Sequence, residues 1–232
     1  MRIFHCPAIY AAITLSVIAD PAAQRIAVLE EAARTAGIGE DLVRDSKKRS
    51  ELVDSLRRRI EQGYLDEKAF RIRLKKQDPP KSQYAEFCNP YLETRAKGFD
   101  RALFLASEFG CVELVPLLVK RGDMGVLAPG AVYQTGREAR AVKAIVAMGI
   151  KAAEPLFDIV ERSPNARERY YALSALQMGL TAWKDELDGK GLAERMAERC
   201  DTNKTTVQLA LALLKGNIHD ARTAAGEDLD RP

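Results

Sequence analysis

The rear half of the chain repeats its own pattern, and this periodicity constrains the fold more than any other feature. Gly110 and Pro116 recur at one common spacing as Gly149 and Pro155, within RALFLASEFGCVELVPLLVKRG and RAVKAIVAMGIKAAEPLFDIVER. The spacing is about 39 residues, a period typical of stacked helix pairs. One pair cannot bury its apolar face alone, so neighbouring pairs must cover one another. The pattern therefore predicts an all-α protein.

The repeated glycine and proline each have a structural reason. Glycine accepts the left-handed conformation that ends the first helix of a pair. Proline fits the first turn of the second helix, where its missing N–H does least harm. A third copy follows at a shorter spacing, and in it Gly179 takes the glycine place. A fourth, degenerate copy is predicted over Thr205–Asn217.

This layout resembles HEAT-like repeats, including the small-residue helix, the glycine and the "EPL" second helix of the phycobilisome-lyase-type HEAT family. The resemblance covers Phe99 to Asn217 and implies an α-solenoid of helix pairs over residues 99–217. It also allows a lyase-like or chaperone role on a bound prosthetic group. The first copy looks ankyrin-like on its own, but the period is longer than the ankyrin period and no TPLH turn is present. These features favour HEAT-like repeats.

Residues 20–76 predict an N-terminal helical region. Asp20-Pro21 has the pattern of an N-cap followed by proline at the first helical position, and Gly37 is a typical helix terminator. The segment Leu52–Leu74 predicts a helical hairpin that turns at Gly63. Its pattern resembles SHOCT-type short domains, which implies an oligomerisation or tethering module. Three prolines between Gln77 and Pro90 then predict a linker over residues 77–98.

The first nineteen residues carry one basic residue, Arg2, and a mostly apolar run. One interpretation is a secretory signal cleaved after Ala19, so that the protein is exported. The alternative is a buried N-terminal helix in a cytoplasmic protein. The run Ile3–Ala19 is at the short limit for a membrane span, so a span is expected only if the signal stays uncleaved. Residues 218–232 predict a capping or frayed tail.

Charge is unevenly distributed along the chain. The net charge is +3, yet Arg44–Lys76 holds 12 Lys/Arg against six acids. Clustered cations such as Arg57-Arg58-Arg59 can bind polyanions. Three consecutive helical residues spread over about 200° of the circumference, however, and acids interleave with them. No aromatic series is available for base stacking. A solvated helix face is therefore favoured over nucleic-acid binding.

The sequence offers little for catalysis or metal binding. It has two histidines, His5 and His219, and four cysteines, none at CxxC spacing. Nucleophilic catalysis by Ser or Cys needs an imidazole to accept a proton, and His219 stands in the tail. We therefore expect no catalytic residue, no metal site and no cofactor.

The best candidate for a binding surface is the segment Asp123–Gly136, which interrupts the repeats and is apolar for a loop. It either covers the repeat core or projects a contact surface. With the helix starts beyond it, it predicts a site for an acidic peptide or anionic ligand, although these residues also fit ordinary charged helix starts. The candidate residues are Tyr133, Arg137, Arg140, Arg167, Arg169 and Tyr170. The expected function is a non-enzymatic scaffold that binds an unidentified protein partner.

Overall fold

The structure is a computed structural model that describes residues 20–121, 140–183 and 189–215. Within these ranges the regular elements are all helices, and there is no strand. The all-α prediction is confirmed. In chain order the α-helices are α1 Pro21–Ala36, α2 Glu40–Arg44, α3 Arg49–Gln77, α4 Tyr84–Lys97, α5 Phe99–Glu108, α6 Val115–Lys120, α7 Arg140–Ala147, α8 Ala153–Arg162, α9 Ala166–Ala182, α10 Gly189–Arg199 and α11 Thr205–Leu214. The signal predicted over 1–19 and the tail predicted over 218–232 lie outside the described residues.

Helix α1 has the ends that its sequence predicts. The Asp20 side chain accepts a hydrogen bond from the Ala22 amide at 3.0 Å, and Pro21 opens the first turn. Gly37 ends the helix in the left-handed conformation, with φ 71° and ψ 33°. The next amide, of Ile38, then reaches back to the Ala33 carbonyl at 2.8 Å, which satisfies a carbonyl that the helix end would leave unpaired.

The predicted hairpin turn at Gly63 is wrong, because α3 runs unbroken through this residue. Gly63 allows close packing of two helices and does not form a turn. A Cβ at this position would lie 2.8 Å from Phe99 Cδ2, so only glycine lets α3 approach the start of α5 this closely. The first half of α3 buries Leu52, Leu56 and Ile60 in the main core.

The predicted linker over 77–98 is also wrong, because α4 occupies most of it. The Asp-Pro-Pro sequence does end α3, but Pro90 lies inside α4 at the cost of one backbone hydrogen bond. A small second core holds α4 to α3. In it the Tyr91 ring stacks on Phe70 with 4.3 Å between centroids, and Cys88 is buried beside them.

The helices of the rear half contact one another in regular succession. Helix α5 packs on α7 and α7 packs on α9, while α6 packs on α8 and α8 packs on α10 and α11. One continuous core of buried apolar side chains runs from α1 through α11. Its largest fully buried members in this half are Leu105, Leu114, Leu118, Ile145, Leu156, Phe157, Leu176, Trp183 and Leu192.

Two of the three repeat glycines behave as predicted. Gly110 and Gly149 have φ of 54° and 84°, which favours glycine, and each precedes a short 3₁₀ turn that leads into α6 or α8. The prediction for Gly179 is wrong, since it lies inside α9. A Cβ there would come within 2.3 Å of the Trp183 ring. Gly179 therefore makes room for the tryptophan.

Candidate functional site

The structure describes part of the predicted binding edge. Tyr133 and Arg137 lie outside the described residues. Arg140, the first residue of α7, forms an ion pair with Asp100 of α5. Arg95, which is 8% exposed, approaches the same carboxylate from α4 with Nε 3.9 Å from Oδ2. Arg140 thus helps to hold α7 against α5, and its guanidinium shares the Asp100 carboxylate with Arg95.

The other predicted residues lie at the start of α9. Asn165 caps this helix by accepting a hydrogen bond from the Arg167 amide at 3.0 Å. Arg169 Nη1 donates to the carbonyl of Ser163 at 3.0 Å, which closes the turn between α8 and α9. Tyr170 is partly buried and meets Tyr171 edge to face, with centroids 5.4 Å apart. Of the predicted residues Arg167, Arg169 and Tyr170, Arg167 is exposed and the other two are partly buried.

An open cleft of about 460 Å³ lies between α3 and α4, where the sequence predicted a hairpin and a linker. Its walls include Phe70, Arg73 and Tyr91. The Arg73 guanidinium lies over the rings of Phe70 and Phe87, 5.4 Å and 5.3 Å from their centroids. The spacing of aromatic residues on the two segments was the available signal. This spacing predicts a shared aromatic surface only if residues 84–97 form a helix.

A buried carboxylate lies beside this cleft. Glu67 is 2% exposed, and its Oε1 accepts a hydrogen bond from Arg71 Nε at 2.9 Å. The Tyr91 hydroxyl donates to Glu67 Oε2 at 3.4 Å. Burial, with the nearby Glu67 charge, raises the pKa of Tyr91 above its usual range. Tyr91 therefore remains a protonated donor, and the group serves to fasten α4 to α3.

A second open cleft, of about 410 Å³, lies between α7 and α9. Lys143, Val146, Met178 and Trp183 are among its lining residues. Trp183 is 2% exposed and donates its indole N–H to the Val146 carbonyl at 2.8 Å. Trp183 therefore packs between α7 and α9. The cleft is mainly apolar and offers Lys143 as its charged group.

The thiols of the repeat region are poor nucleophiles. Cys111 is fully buried, and burial raises its pKa to about 11. Burial, followed by the Glu161 carboxylate, also raises the pKa of Cys200. Because the thiolate is the reactive form, both groups are inert near neutral pH. His5 and His219 lie outside the described residues.

A network of ion pairs that the sequence did not predict joins α8 to α10. Glu154 pairs with Arg195 and Arg199, and Asp158 Oδ1 lies 2.7 Å from Arg199 Nη2. The acids are four residues apart on one helix and the arginines four apart on the other, so each pair shares a helix face. This spacing is visible in the sequence, but which helices face each other is not.

Within the three described ranges no cluster of His, Cys, Asp and Glu side chains is suited to hold a metal ion. In the same ranges, none of the helices combines the length and the apolar character that crossing a bilayer requires. Comparison with known proteins found no matching family model, no matching curated protein and no matching solved structure. The class that fold and site define is an all-helical protein.

Proposed function

We propose that the chain is a non-enzymatic scaffold that binds a protein partner through HEAT-like helix pairs. The observation that carries this proposal is the order of helix contacts. Helices α5, α7 and α9 contact one another in succession, and so do α6, α8 and α10. Such an arrangement extends by adding pairs, each covered by its neighbours, and it presents long surfaces on both sides.

The start of α9 is the best candidate for the contact. Its backbone is fixed by the Asn165 cap and by the bond from Arg169 to Ser163, so its surface is organised before a partner arrives. Arg167 is exposed at this fixed turn, and a guanidinium can bind a carboxylate through two parallel hydrogen bonds. An acidic peptide segment is the partner chemistry that fits.

The alternative function on a prosthetic group finds less support. Covalent attachment through a thiol needs a thiolate that a ligand can reach. Cys111 is fully buried, with a pKa raised to about 11, and Cys200 is buried against the Phe157 carbonyl. Purified protein is expected to show no visible absorbance. A chromophore that co-purifies with the full chain would favour the alternative.

The scaffold proposal can be tested by photo-crosslinking of the full chain in its native host. A photoreactive amino acid replaces Pro164, an exposed residue in the turn before α9. The matched control places it at Lys151, an exposed residue in the turn before α8. A discrete protein adduct is expected at Pro164 and not at Lys151, and Arg167→Glu is expected to abolish it. Equal adducts at both positions, or none at either, would contradict the proposal.

A further inference from the structure

The second half of α3 has two distinct sides. On one side Phe70 and Leu74 pack toward α4. The opposite side is exposed and is here called the outer face of α3; it consists of Leu65, Lys68, Ile72, Lys75 and Lys76. These residues recur at spacings of three, four and seven, which places them along one side of the helix.

The outer face combines apolar side chains with positive charge. Leu65 is 55% exposed and Ile72 is 61% exposed, an unusual state for large apolar residues. The segment Lys68–Gln77 carries five cations and no acid. Arg71 pairs with Glu67, and Arg73 lies over Phe70. Within the part of the chain that the structure describes, the lysines of the outer face form no ion pair.

This combination favours one kind of anionic partner. Nucleic acid offers phosphates for the lysines but no apolar surface for Leu65 and Ile72, and the nearby aromatic rings of Phe70 and Tyr91 are stacked on each other. Protein interfaces are depleted in lysine. At a bilayer surface, by contrast, lysine stems lie along apolar groups while the ammonium reaches the headgroups.

We propose that the outer face of α3 docks on the anionic surface of a phospholipid bilayer. Leu65 and Ile72 would enter the boundary between headgroups and acyl chains, and the lysines would meet the lipid phosphates and carboxylates. The first half of α3 is anchored in the main core through Leu56 and Ile60. Docking would therefore hold the whole repeat region at the membrane surface.

The test is sedimentation of the full chain with two kinds of vesicle. One is an anionic mixture of phosphatidylcholine and phosphatidylserine in a molar ratio of about 7 to 3, and the other is pure phosphatidylcholine. Binding is expected only to the anionic vesicles and is expected to weaken with added salt. Lys75→Gln with Lys76→Gln should weaken binding about 30-fold, from about fivefold per lysine. Ile72→Ser should weaken it about tenfold.

Matched control variants distinguish binding through the outer face from non-specific electrostatic or hydrophobic binding. Lys47→Gln with Lys120→Gln removes the same charge from exposed sites elsewhere, and Ile26→Ser changes a residue that is 50% exposed on α1. Both controls should bind as the wild type does. The proposal is overturned if the control variants lose binding to anionic vesicles as much as the outer-face variants do. It is also overturned if the wild type does not bind anionic vesicles, whether or not it binds DNA or an acidic protein.

A labelling measurement avoids dependence on destabilised variants. In a Cys6→Ser background, Lys68→Cys carries an environment-sensitive NBD dye on the outer face between Leu65 and Ile72, while the three described cysteines are buried. Anionic vesicles should shift its emission to the blue. A dye that stays in a water-like environment while the protein sediments with vesicles would overturn the proposal.

Discussion

The packing of Gly179 against Trp183 gives the sharpest energetic prediction. A Cβ at position 179 would lie 2.3 to 2.6 Å from three carbons of the indole ring. The ring cannot swing away freely, because it is 2% exposed and its N–H is bonded to the Val146 carbonyl. Gly179→Ala therefore forces overpacking where an ordinary helical glycine would only gain from the change.

The magnitude follows from opposing terms. Replacing glycine by alanine inside a helix stabilises by about 1 kcal/mol. Overpacking costs about 1–3 kcal/mol, and loss of the indole hydrogen bond costs about 1 kcal/mol more. We expect Gly179→Ala to lower the free energy of unfolding by about 1–3 kcal/mol. In a Trp183→Leu background, which lacks the ring, the same change should be neutral or stabilising by up to about 1 kcal/mol.

Urea denaturation followed by far-UV circular dichroism measures all four proteins of this cycle. Trp183 is the one tryptophan in the chain, so its fluorescence also reports directly on this site in the single variant. The predicted result is a change of sign between the two backgrounds. If Gly179 instead ended a helix in a left-handed conformation, alanine would cost about the same in both backgrounds, and that result would refute the packing argument.

Three further predictions test other parts of the structure. Arg49 donates hydrogen bonds to the Phe109 and Gly110 carbonyls at 2.9 and 3.0 Å. Arg49→Gln should therefore lower the free energy of unfolding, measured by urea denaturation, by about 1 kcal/mol. An unchanged free energy of unfolding would contradict a stabilising role for these two hydrogen bonds. Gly149→Ala should cost about 1–3 kcal/mol in the same assay because φ is 84°, and a neutral effect would contradict that conformation. In a Cys6→Ser variant the buried thiols, including Cys111, should react with Ellman's reagent at pH 8 only after unfolding; rapid reaction of the folded protein would contradict their burial.

Local signals predicted the helix ends that local chemistry controls. Asp20, Pro21 and Gly37 fix α1 through contacts within a few residues, so both ends of this helix are predictable from the sequence. The same holds for Gly110 and Gly149, where the positive φ lies in the turn itself. In these cases the sequence neighbourhood contains the interactions that determine the conformation.

The wrong predictions share a different cause, which is contact with residues distant in sequence. Gly63 has the sequence pattern of a turn, but its lack of a side chain leaves room for the Phe99 ring. Pro90 has the sequence pattern of a helix breaker, but it lies inside α4, which packs on α3 through the stacking of Tyr91 on Phe70. Glycine and proline have the same local signature in both situations, so periodicity alone could not separate them.

The candidate site was predicted in part. The charged residues at the start of α9 are visible in the sequence, but the bond from Arg169 to Ser163 and the pairing of Arg140 with Asp100 depend on how helices meet. The outer face of α3 was hidden for the same reason. The basic composition was visible in the sequence, but which side of α3 faces α4 had to come from the structure.

In the proposed scaffold, successive helix pairs of the rear half pack against one another. The unique indole N–H of Trp183 gives one resolved resonance in an NMR spectrum of the full chain. Because it donates to the Val146 carbonyl at 2.8 Å, it should show nuclear Overhauser effects to Val146 and Ala147 of α7. Effects confined to residues of α9 and α10 would contradict this packing, and with it the scaffold.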